Sequence, residues 1–369
     1  MVYIIKDAEL LRHNERNRRM EEPYTLTPIF LSVGVALLLS YIGMWTHPDE
    51  QYVFSTLTNL CYLAAGLQRE VAAYDSFHSA SLLVGLLGSA PYVLVLLGSA
   101  SMTYHRHTVI GSWTHSLDIL FGMILVFHNF YTSFSVVVMY FVASYYKVQQ
   151  FVRIVMPCSF AFMMCVLMIW FDDVYGDMLL FYLIFGPAAA ICSCMIRLLL
   201  VPGHKAQNSI TGVFIALAEI LTLLIVVFAA IFAQCELIGV KYTVTSNPNA
   251  YDFYHGQWHF LISLSMAMLY TRAADAAVRI RNKNKNITVR ALSTIDWFGL
   301  TLCLLYALLV LLLKETEVDL DTAKTTLSWF ASLYGFYGLY ALFLYITRPD
   351  IEMSIDEFRD CHPGLECAV

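Results

Sequence analysis

The chain predicts an all-α membrane protein, a bundle of transmembrane helices, and three observations predict it. Of its 369 residues, 59% are hydrophobic and only 14% charged, outside the range of a soluble domain. Apolar runs of about 20 residues, the length that crosses a hydrocarbon layer as a helix, recur along the chain with charge confined between them. The basic residues gather in alternate loops, as Lys and Arg do on the cytosolic side of multi-span proteins.

In chain order, residues 1–23 are basic (Arg12, Arg16, Arg18, Arg19) and precede the first apolar run, 24–45. No small-residue cleavage site follows that run, so it reads as a retained anchor rather than a removed leader. The next runs are 52–67 and 79–104, and then comes a stretch from Ser112 to Tyr146 that is long for one upright helix and short for two. Loop charge favours a single crossing, from Ser112 to about Val137. With the basic amino terminus in the cytosol, the basic loops 147–153, 197–205 and 272–290 then all lie inside. Asp172, Asp173 and Asp177 fall outside, as do Glu315, Glu317, Asp319 and Asp321. Two crossings would reverse the later loops. The remaining runs are 154–171, 178–200, 210–233, 255–271, 297–313 and 326–346, giving about ten crossings and cytosolic termini.

Several function classes drop out. A formal charge of -6 argues against a nucleic-acid partner, and membrane orientation accounts for the one strongly basic loop. The nine cysteines sit mostly in the runs, with only Cys235 in an outer loop, which implies no disulfide framework. The sequon at Asn286 lies in a cytosolic loop and is expected to stay unmodified. The tail, 348–369, is polar, acidic and loosely ordered.

Polar residues inside apolar runs cost several kcal/mol unless paired, so they mark sites. His255 and His259 are four apart and share a helix face, the spacing by which two imidazoles grip one metal. Ser101 and His105 share a face in the same way, and Asp118 follows after a short loop containing Gly111. Under the single-crossing topology, His105, Asp118 and His255 all lie near the outer ends of their helices, on the luminal or extracellular side. Catalytic zinc usually takes three protein ligands and leaves its fourth position to water, whose pKa it lowers to about 7. His105, His255 and His259 are the expected zinc ligands. Asp118 is the expected general base or water-orienting group, and Ser101 the group that hydrogen-bonds the water or the developing oxyanion.

Each of these residues also has a bland explanation. An interfacial histidine is commonly an amphipathic anchor, an HxxxH pair arises by chance, Ser101 can bond its own helix backbone, and Asp118 can cap the following span. What sets them apart is that all five fall at one depth. His107 and His115 flank the same loop as outer-layer or solvated groups, and His128 lies deeper, where it packs against a hydroxyl. Glu219, mid-span, is either functional or protonated and hydrogen-bonded. Cys192 and Cys194 diverge on a helix and do not make a metal pair.

Five segments carry a family resemblance: SASMTYH (99–105), HSLDILFG (115–122), HGQWHFLISLSMA (255–267), FSTLTNLCYLAAGL (54–67) and FGPAAAI (185–191). In these the chain resembles the CREST superfamily of seven-span membrane proteins. That superfamily contains alkaline ceramidases, progestin and adiponectin receptors, systemic RNA-interference transmembrane proteins, and the myomaker and GPI-processing phospholipase group. Tyr104 and the Trp258-His259 pair look closest to the last two branches. The resemblance implies a seven-span metal-binding core over 52–272, with zinc held by His105, His255 and His259 and completed by Asp118 and Ser101. Around it would lie an extra helix and loop at 24–51, a basic loop at 273–294 and two further helices over 295–347. Those helices depart from the seven-span plan, as does the long stretch after Ser112.

Three functions compete. The first is a zinc-dependent hydrolase of a lipid amide or acyl ester, its substrate a membrane lipid. The second is a receptor, fusion or transport factor in which zinc only staples helices together. The third is a transporter or scramblase using Glu219, though the paired half-helix breaks of such proteins are missing.

Overall fold

The computed structural model describes residues 27–68, 82–107, 113–141, 187–192, 217–218, 221–230, 247–281, 294–316 and 318–347, and among them every regular element is helical. The principal helices are α1 (Thr27–Thr46), α2 (Val53–Thr58), α3 (Leu60–Gly66), α4 (Leu82–His107), α5 (Trp113–Phe141), α6 (Pro248–Arg281), α7 (Thr294–Glu315) and α8 (Leu320–Thr347). Within the described residues, Pro28–Thr46, Trp113–Phe134 and Phe298–Glu315 are long and apolar enough to cross a membrane. Their composition is that of a membrane protein.

Helix α6 forms the centre. From Tyr251 to Ala273 every side chain except that of Asp252 is buried, the pattern of a helix surrounded on all sides. Helices α1, α2, α3 and α5 pack on it directly, α4 lies along α5, and α8 lies along α1. The outer faces are apolar instead of polar: Leu305, Leu308 and Leu312 on α7, and Trp329, Leu333, Phe336 and Tyr340 on α8, are exposed at helical spacing. Apolar faces of this extent belong against lipid or another protein.

A closed ring of hydrogen bonds ties α1 and α7 to the centre. Gln257 Nε2 donates to Tyr41 Oη at 3.0 Å, Tyr41 and Tyr306 hydroxyls meet at 2.9 Å, and Tyr306 Oη donates to Gln257 Oε1 at 2.5 Å. All three residues are fully buried or nearly so. Tyr306→Phe leaves the Gln257 carbonyl without its donor, and about 1 kcal/mol of stability is expected to be lost, near the upper range for hydrogen bonds between membrane helices. Thermal unfolding in detergent measures it.

The boundaries differ from the hydropathy reading where polar caps extend a helix. α6 starts at Pro248, ahead of the expected His255, because Asn247 Oδ1 accepts from the Ala250 amide at 3.1 Å and proline suits the first helical position. α8 starts at Leu320 because Asp319 Oδ1 accepts from the Thr322 amide at 2.9 Å. Hydrogen bonds from Thr322 hold the Asp319 carboxyl below the usual carboxylate range. Helix α5 runs without a break to Phe141, so no second crossing begins within its described length.

The run expected as one helix over 52–67 is instead two short helices meeting at Asn59. It starts abruptly: Tyr52 has φ 61°, a left-handed conformation rare for a non-glycine residue. An apolar helix, Leu221–Ala230, falls inside the run expected at 210–233, while 154–171 and most of 178–200 lie outside the described residues. So do the sequon, Glu219, Cys194 and Cys235.

Candidate metal centre

Two helices bring three histidines together. On α4, one turn separates Ser101 from His105; on α6, one turn separates His255 from His259. The three rings are nearly inaccessible, at 1% for His105, 6% for His255 and 2% for His259. Their centroids lie 4.8 Å (His105 to His255), 5.0 Å (His105 to His259) and 4.6 Å (His255 to His259) apart. One ligand nitrogen from each falls within 4.8 Å of the other two, so the group can hold a metal ion.

Three converging imidazole nitrogens can hold a metal ion, and one of their spacings approaches that of zinc. Nitrogens bound to zinc at about 2.0 to 2.1 Å sit about 3.3 to 3.4 Å apart. The Nε2 atoms of His105 and His255 are 3.1 Å apart, a few tenths closer. His259 has its tautomer set by the protein. Its Nδ1 lies 3.0 Å from the Ser55 carbonyl oxygen, which can only accept, so Nδ1 carries the proton and Nε2 the lone pair. That lone pair faces Ser101 Oγ at 3.4 Å, near the limit of hydrogen bonding. Ser101 has one proton and also bonds Asp118. A serine that donates to the carboxylate leaves the Nε2 lone pair available to a cation.

The other two rings are costly as they stand. The Nδ1 atoms of His105 and His255 are buried and have no hydrogen-bond partner among the described residues. Each such group costs about 1 to 3 kcal/mol, and an ion held between the two Nε2 atoms would leave both Nδ1 groups in the same state, so this cost is separate from metal binding. Tyr251 stacks on His255 with ring centroids 5.0 Å apart and planes at 17°, which fixes that ring's plane.

The five residues singled out by sequence thus occupy one neighbourhood: three as converging nitrogens, Ser101 against His259, and Asp118 behind Ser101. His107 is exposed. His115 is buried with its ring 4.5 Å from Tyr104, outside the converging group. His128 bonds the Tyr270 hydroxyl at 2.7 Å, as expected of a deeper packing residue.

Sequence reasoning missed Ser55, Thr58 and Asp252. The Thr58 hydroxyl lies 3.2 Å from His259 Nδ1, beside the Ser55 carbonyl. Asp252 holds the start of α2 and had a legible signal, being three residues before His255 and seven before His259, on their face of the helix.

Compared with protein-family models, with curated proteins and with solved structures, the chain matches none.

Proposed function

We propose that the chain is an integral-membrane, zinc-dependent hydrolase of a lipid amide or acyl ester, built on the seven-span plan of the CREST superfamily. The observation that carries this reading is the buried trio His105, His255 and His259 with Ser101 and Asp118 on one side of it. Three imidazoles and an adjoining carboxylate are the donor set of catalytic rather than structural zinc, whose sites are usually closed by four protein ligands.

When bound, zinc lowers the pKa of water to about 7 and polarises an acyl carbonyl. The protein's own groups do the rest. Asp118 takes the proton from the attacking water and returns it to the leaving amine or alkoxide, so that fatty acid and head fragment leave with protons balanced. Ser101 donates its one proton to the Asp118 carboxylate and, once that carboxyl has itself taken a proton, can turn its hydroxyl to the oxygen that gains charge. His259, its ring oriented through Ser55, keeps a lone pair aimed at the site. In this reading the site faces the outer leaflet and both termini are cytosolic, as the distribution of basic loops in the sequence supports.

The near-complete burial of the three rings favours a second reading, in which the same metal braces α4 against α6 in a receptor, fusion or transport factor. One set of measurements separates the two. Purified full-length protein in detergent is expected to carry about one zinc per chain and to release fatty acid from ceramide or phospholipid. Asp118→Asn is expected to keep the zinc and lose activity by about a hundredfold to ten-thousandfold, the usual contribution of a general base. Zinc without release from either lipid supports the bracing role, and a chain that binds no zinc defeats both.

A further inference from the structure

Helix α2 is six residues long and begins from the left-handed Tyr52, whose side chain makes no capping hydrogen bond. Its first amides are satisfied from another helix. Asp252 of α6 accepts from the Phe54 amide at 3.2 Å through Oδ2 and from the Ser55 amide at 2.8 Å through Oδ1. The Ser55 hydroxyl donates to the same Oδ1 at 2.5 Å. The Ser55 carbonyl in turn accepts from His259 Nδ1 at 3.0 Å, from Thr58 Oγ1 at 3.1 Å and from Asn59 Nδ2 at 2.8 Å.

Asp252 and His259 stand two turns apart on one face of α6, and both are fastened to Ser55. The result is a closed brace running from α6 to α2 and back. Resting on the metal-centre reading above, we propose that Asp252 is a positioning residue for the metal, holding the Ser55 carbonyl where it sets the ring and tautomer of His259. An ordinary cap would need no connection to a ligand. Here the residue that is capped is the one whose carbonyl orients the imidazole.

Ligand orientation by an outer layer of hydrogen bonds contributes tenfold to a hundredfold in metal affinity, and Asp252→Ala is expected to weaken zinc binding by that factor. Chelator competition on the full-length protein reads the affinity, and the visible absorption of the Co2+-loaded protein reads the ligand geometry, which is expected to change. Asp252→Asn keeps one carboxamide oxygen and is expected to recover part of the loss. Asp319→Ala removes a comparable cap at the start of α8 and is expected to lower thermal stability while leaving affinity and spectrum alone.

Affinity within twofold of the parent in Asp252→Ala, with the Co2+ spectrum unchanged, overturns the proposal, as does an equal loss in Asp319→Ala. If Asp252→Ala does not fold, Ser55→Ala, which removes one of the three bonds to Asp252 and keeps the carbonyl, decides the matter. It is expected to weaken binding about two- to fivefold, its share of the same effect on a logarithmic scale, and no change there is equally fatal. A parent protein that binds no metal defeats the metal-centre reading itself. A parent that binds while Asp252→Ala is unaffected defeats only the role of Asp252.

Discussion

His105→Ala is expected to lower zinc affinity by roughly two to three powers of ten, and His255→Ala with His259→Ala to abolish stoichiometric binding. Structural zinc sites with four ligands bind with about 10 to 16 kcal/mol, or about 2.5 to 4 kcal/mol per ligand, and each 1.4 kcal/mol is tenfold. His105 is the sharpest single test because it is the only one of the three supplied by α4. Its loss leaves an i, i+4 pair on α6, which retains weak, exchangeable binding. Metal content after dialysis, followed by chelator competition, distinguishes that pair from the full site. A chain whose histidines were packing residues would carry no metal in either form, and the substitution would change nothing in that assay.

The all-helical fold was legible in sequence wherever an apolar run stands alone, because about 20 apolar residues can satisfy their backbone in lipid only as a helix. Helix ends were not, since α6 and α8 are extended by polar turns capped by Asn247 and Asp319, which an apolar window discards. The break at Asn59 was invisible as well. FSTLTNLCYLAAGL reads as one continuous apolar helix, but its Ser55 carbonyl is taken up by side chains, those of Thr58 and Asn59 from the same segment and that of His259 from α6.

At the site, the paired spacings of Ser101 with His105 and of His255 with His259 sufficed to choose the ligands, because helical geometry turns a spacing of four into a shared face. Supporting residues escaped that logic. Asp252 lies just outside the apolar run, although on the ligand face, and Ser55 acts through its backbone, which carries no signature in sequence. Gln257 sits two residues from both histidines and so points to the other side of α6. There it binds Tyr41 and Tyr306, which makes helices outside the expected seven-span core integral to the helix that carries the ligands.

Gly256→Ala tests how far the site depends on the seating of α2. A Cβ at Gly256 would be driven into the Phe54 ring, meeting Cδ1 and, at 2.6 Å, Cε1, with Thr58 Oγ1 at 3.2 Å. Phe54 cannot swing aside. It is fully buried, 4.8 Å from the Tyr41 ring and 5.5 Å from that of Phe253. The strain therefore passes to α2, which carries both Ser55 and Thr58, and two properties are expected to fall together. Overpacking a filled core costs about 1 to 3 kcal/mol of stability, and displacement of the Ser55 carbonyl weakens zinc binding by up to about a hundredfold. Gly34→Ala is the matched control, since its Cβ would be driven into the buried Tyr334 ring between α1 and α8, and that ring meets Cys303, Tyr337 and Phe260 and neither Ser55 nor Thr58 of α2. It is expected to lose similar stability in thermal unfolding and to keep its metal affinity. Equal affinities in the two variants would mean that the seating of α2 has no part in holding the ligands.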